Sequence, residues 1–164
     1  MATEKKLTNL PSMLLRIETM CQELKDQTLS DFREYINLEN WRPKKTKEYP
    51  KVGELKHAGV YCIYEGQEII YIGSAGSRHT LRNRIGNLFV HRSQKNPEFG
   101  HNLTHKLILD KTLRRFSKID EVRDFYLNCR FKFITANNDA EAHALENVLI
   151  MLFTPEYNNE TRKR

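Results

Sequence analysis

Two short runs rich in β-forming residues, Val60 to Tyr64 and Ile69 to Ile72, stand on either side of Gly66, and they limit the fold more than any other feature of the chain. Branched and aromatic side chains suit a pleated surface, and a glycine between two such runs signals a hairpin. The connection is expected to be a three-residue loop, Glu65-Gly66-Gln67, or a bulge of equal effect. Only an odd offset puts Tyr61 and Tyr71 on one face, because side chains alternate along a strand. Gly73 and Gly76 then break the chain. A helix is predicted from about Thr80, with Leu81, Ile85, Leu88 and Phe89 on one stripe. Another runs from Asn102 through Leu103, Leu107 and Leu113. Leu127, Cys129, Phe131 and Phe133 alternate with Asn128, Arg130 and Lys132, the period of a strand with one buried face. Asn138 caps a last helix, with Glu141 three residues on, and Ala142, Leu145, Leu149 and Leu152 form its stripe before Pro155 stops it. The order β-β-α-α-β-α predicts an α+β fold with a small three-stranded antiparallel sheet flanked by helices.

The first fifty residues read differently. After Pro11, Leu14, Ile17, Cys21 and Leu24 recur at helical spacing, and a short second helix near Ser30 is expected to bury Phe32, Tyr35 and Ile36. From Arg42 to Pro50 the chain is basic and bracketed by prolines, which favours an extended linker. Residues 1–50 are therefore read as a helical extension with a basic linker, and 51–164 as the main domain. No apolar run approaches the roughly 20 residues that cross a bilayer. The start carries no apolar leader, and the three cysteines form no C-x-x-C pair, so a cytoplasmic protein without a structural zinc site is expected.

Charge narrows the partners. Lys and Arg number 27 against 21 Asp and Glu, and no acidic residue falls between Ile69 and Pro97. That stretch holds Arg78, Arg82, Arg84, Arg92 and Lys95, and the chain closes on Arg162-Lys163-Arg164, a positive footprint suited to phosphates. Singly, the candidate residues have ordinary readings. Tyr61 and Tyr71 could be strand packing, Arg84 a solvated helix arginine, Glu146 half of an ion pair at the core edge, and Asn158 a turn residue.

Together they form a pattern. Gly59-Val-Tyr61, ten residues before Tyr71-Ile-Gly73, resembles the paired motif of the GIY-YIG nuclease superfamily. Leu81-Arg-Asn-Arg84-Ile85 resembles that family's arginine helix, Glu141 to Ile150 its glutamate helix, and Pro155-Glu-Tyr-Asn158 its closing motif. The resemblance covers roughly residues 57 to 160. The loop before the arginine helix is longer than the family's, and Arg84 is preferred to Arg82 for the apolar pattern around it. Leu88 stands where the family often has a His or Tyr, and His91 is the substitute considered for proton handling.

The resemblance implies a metal-dependent DNA endonuclease. Glu146 would anchor one Mg2+ or Mn2+ per site, a hard cation that keeps most of its waters. Arg84 would hold the phosphate with its guanidinium fork. Tyr61 would orient or deprotonate the attacking water, and Tyr71 would hydrogen-bond the phosphate or nucleophile. Gly73 and Asn158 would support the site, and Arg78, Arg82, Arg92 and Lys95 would bind nucleic acid. With little chain after Asn158, a compact, site-specific, restriction-like enzyme is the expected subtype, with a homodimer on DNA as its expected form; the alternatives are a homing or repair endonuclease of the same superfamily, or a non-catalytic nucleic-acid-binding module on this scaffold. The N-terminal helices and the Asn96 to Asp120 region would read DNA or dimerise.

Overall fold

β-branched and aromatic residues build the central hairpin of the computed structural model, which describes residues 10–26, 28–45, 47–90 and 100–158. Strand β4 (Gly59–Glu65) pairs antiparallel with β5 (Glu68–Ala75). The turn between them is two residues, Gly66-Gln67, in place of the expected three. Gly66 takes a φ of +61°, which glycine adopts without steric cost. The odd offset arises one step later. The register shifts between Ile63 and Tyr64, which face Tyr71 and Ile69, so Ile70 is an inserted bulge residue. Beyond it Tyr61 faces Gly73. Tyr71, opposite Ile63, therefore shares a face with Tyr61.

β6 (Arg130–Thr135) pairs with the other side of β4. The sheet has four strands where three are predicted, because β1 (Ser30–Asp31) adds to β6 in the order β1-β6-β4-β5. The extra strand comes from the segment read as a helix near Ser30. Asp31 instead caps a single 3-10 turn, Phe32–Glu34, by accepting from the Arg33 amide at 2.9 Å. Phe32, Tyr35 and Ile36 are buried nonetheless. A two-stranded ribbon follows, β2 (Ile36–Asn37) with β3 (Arg42–Pro43). Its second strand occupies the start of the expected linker.

Five α-helices are present among the described residues, and they cover both faces of the sheet. α1 (Leu10–Asp26) and α5 (Asp139–Phe153) lie on one face, with Met20, Leu24, Leu145 and Leu149 packed on Val60, Cys62 and Ile72. Lys132 is buried on this face, and its Nζ donates to the Leu24 carbonyl near the end of α1. On the other face α2 (Leu81–Leu88), α3 (Asn102–Leu109) and α4 (Ile119–Asn128) pack around Tyr61, Ile63, Tyr71 and Phe131. α4 is absent from the sequence reading. The alternation seen in Leu127, Asn128 and Cys129 spans the junction where this helix passes into β6. No helix among the described residues is long and apolar enough to cross a membrane.

Candidate active site at the free edge of the sheet

Two glycines fix the paired tyrosine strands. A Cβ on Gly59 would strike the Ile134 carbonyl, and one on Gly73 would strike the Tyr61 hydroxyl. The Gly73 position is thus the slot into which the tyrosine head fits. Tyr61 and Tyr71 lie with ring centroids 6.3 Å apart, 1% and 8% exposed. Burial pushes the Tyr61 hydroxyl well above the ordinary tyrosine pKa and Tyr71 up to about 12. After burial, the Tyr71 charge is the next to raise Tyr61, and for both tyrosines the Arg84 charge lowers the value and the Glu146 charge raises it. The four groups therefore share one electrostatic field.

The helix separates its two arginines. Residues two apart on a helix point about 200° apart. Arg84 acts on the tyrosines, whereas the Arg82 guanidinium lies 3.5 Å from the Pro43 carbonyl on the ribbon side. The Nε of each is buried and has no hydrogen-bond acceptor. Arg78 is exposed in the loop before α2.

Glu146 comes from the helix on the opposite face and reaches the edge of β5. Its Oε1 accepts from the Ser74 amide at 3.0 Å and its Oε2 from the Ser74 hydroxyl at 2.6 Å. His143, one turn earlier on α5, places Nδ1 3.1 Å from the same hydroxyl. Two residues back along the strand, Asn158 accepts from the Ile72 amide and donates to its carbonyl, both at 2.7 Å. These bonds join the end of the 3-10 turn Glu156–Asn158 to β5.

A carboxylate offers about four lone-pair sites, and Ser74 engages one on each oxygen. His143 Nδ1 also lies 3.4 Å from Oε2, and the remaining sites of this side chain, 22% exposed, suit a hard cation. Among the described residues no three His, Cys, Asp or Glu side chains gather as a ligand cluster. The donor set fits an ion that takes one carboxylate and keeps its water shell, as Mg2+ does.

Sequence reasoning missed Ser74, His143 and His101. His91, Arg92, Lys95 and the terminal Arg162 to Arg164 lie outside the described residues, and the histidine in contact with Tyr61 is His101. It is 2% exposed and caps α3, its Nδ1 accepting from the Leu103 amide at 3.1 Å. With Nδ1 an acceptor, the neutral ring carries its proton on Nε2, and that nitrogen contacts the Tyr61 hydroxyl. The helix cap therefore selects the tautomer that donates to Tyr61. The available signal was positional, a histidine directly before the predicted helix start at Asn102.

No protein-family model and no curated protein matches the chain. Solved structures do. The GIY-YIG N-terminal endonuclease domain of UvrC from Thermotoga maritima, bound to magnesium, is 26% identical with a TM-score of 0.38, over 71% of this chain and 100% of that one. A tyrosine-to-phenylalanine point mutant of that domain, bound to its catalytic divalent cation, is 21% identical with a TM-score of 0.41 at the same coverage. Both of these solved structures are GIY-YIG endonuclease domains.

Proposed function

We propose that the chain is a member of the GIY-YIG superfamily and acts as a metal-dependent endonuclease that hydrolyses phosphodiester bonds in DNA. The observation that supports this reading is that Tyr61 and Tyr71 share one face of the hairpin, with Glu146 bound to Ser74 of β5 and the Arg84 and Glu146 charges bearing on both tyrosines. Arg84, with an unsatisfied buried Nε, is a ready clamp for a phosphate. Glu146 would hold Mg2+, which when bound neutralises phosphate charge and activates water. Tyr61 and Tyr71 rest as phenols. Their part is to orient the water and the phosphate until the cation and Arg84 lower their pKa values. Gly73 gives the Tyr61 head its room, and Asn158 braces the strand.

The finer reading is a site-specific, restriction-like enzyme. Each site would hold one cation and cut one strand, with two protomers meeting on the duplex, countable by light scattering of the complex. The test of the activity uses plasmid with Mg2+ or EDTA, followed by sequencing of the ends. Cutting is expected with Mg2+ alone, with ends at one sequence. Glu146→Gln should lose turnover and keep DNA affinity. Undiminished cutting in EDTA, or by that variant, would overturn the reading.

A further inference from the structure

The ribbon β2–β3 lies against the outer side of α2, and a groove runs between them. Arg42, Lys44 and Lys45 line its ribbon side, His79 and Arg82 its helix side, and Glu48 is its acidic member. None of these five basic side chains has a carboxylate within 4 Å among the described residues, in contrast to Arg115 and Arg123, which are paired. The groove therefore presents unspent positive charge.

Its walls are locked together. Pro43 sits so close to α2 that a Cβ on Gly86 would lie 3.0 Å from the Pro43 ring. A glycine inside a helix is unfavourable, and here it admits the ribbon. Trp41, at the ribbon's turn, holds a φ of +55°, costly for a bulky side chain. Its ring stacks on Phe89 and carries the Arg123 guanidinium. Arg82 completes the lock, its buried Nε without an acceptor and its guanidinium turned toward the Pro43 carbonyl.

We infer that this groove is a binding track for the sugar-phosphate backbone of double-helical DNA, built jointly by the N-terminal segment and the helix that carries Arg84. The inference rests on the nucleic-acid reading above and assigns residues 41–45 a part in it. Charge without pairing selects a polyanion. Proteins that bind unpaired strands stack bases on aromatic rings, and the one large ring here is already engaged by Phe89 and Arg123. Asn83 and Asn87 on the helix side supply uncharged donors and acceptors beside the cations. α2 then faces DNA twice, with Arg84 at the tyrosines and Arg82 in the track.

The test compares Arg42→Ala/Lys44→Ala with Arg33→Ala/Arg130→Ala, an equal charge change at exposed positions outside the groove. The full-length chain in EDTA is titrated into labelled duplex DNA, single-stranded DNA and duplex RNA across a salt series. The groove variant is expected to lose about 10-fold or more in duplex-DNA affinity, with the salt slope falling by about 2, while the control variant stays near wild type. Equal losses in both variants, no loss in the groove variant, or a larger loss on single strands or RNA would overturn the inference. Circular dichroism of both variants separates a binding loss from unfolding. Failure of wild type to cut with Mg2+ is a distinct result that bears on the nuclease reading alone.

Discussion

Arg84 and Arg82 sit two residues apart on α2 and have different surroundings, so their replacements should fail differently. Arg84→Ala removes a charge that lowers both tyrosine pKa values and should lower kcat about 100-fold or more, about 3 kcal/mol of transition-state stabilisation. Arg82→Ala should leave kcat near normal and weaken DNA binding more as salt falls, as read in single-turnover assays against binding titrations. His101 offers a second distinction. Its Nε2 donor meets the Tyr61 oxygen and favours the charged form of that hydroxyl. His101→Ala should cost about 1–3 kcal/mol in stability, since it leaves a buried hydroxyl short of a partner and α3 uncapped. It should also move the alkaline side of the pH–rate profile upward, a shift that loss of packing alone would not give. Arg84 was legible in the sequence because an apolar stripe surrounds it. His101 was not, because forty positions separate it from Tyr61 and the tie forms only when α3 packs against the hairpin.

At the scale of the elements, the hairpin was readable and its register only partly so. The runs around Gly66 announced two strands. The two-residue turn and the bulge at Ile70 together give the shared face that the expected three-residue loop would have given, but with Tyr61 opposite Gly73 where that loop would have set it opposite Tyr71. β1 was illegible for another reason, since two residues carry no period and the strand exists only because β6 offers an edge. α4 was lost because its buried pair, Val122 and Tyr126, fills one short stripe. Gly73 tests how tightly the hairpin and site are joined. Gly73→Ala should drive the Tyr61 head out of its slot, costing about 1–3 kcal/mol by overpacking and most of the activity. Thermal melting and cleavage assays on that variant should move together. A Tm loss with activity intact would mean that the tyrosine position is not critical.

For the whole molecule, buried hydroxyls and thiols set a limit on the alkaline side. Burial raises Tyr61, Tyr126 and Tyr71, the last to about 12, and raises Cys62 and Cys129 to about 12. The folded chain then holds these protons more tightly than the unfolded chain, whose thiols and phenols release theirs from about pH 9 and 10. Their contribution is fully present below those values and is lost as pH rises toward 12. Tm should therefore be flat on this account up to about pH 8.5 and fall steadily above it. A Tm unchanged from pH 8 to 11 would contradict the burial of these groups.

β5 is the outer strand of its sheet, and bare strand edges invite other chains to pair with them. Along this one the Ile72 amide and carbonyl are taken by Asn158 and the Ser74 amide by Glu146. The carboxylate proposed to hold the cation is thus also a guard against self-association. Glu146→Ala would uncover a strand end as well as remove a ligand, so precipitation or fibre growth could pass for loss of turnover. Glu146→Gln keeps a carbonyl for Ser74 and leaves the guard standing.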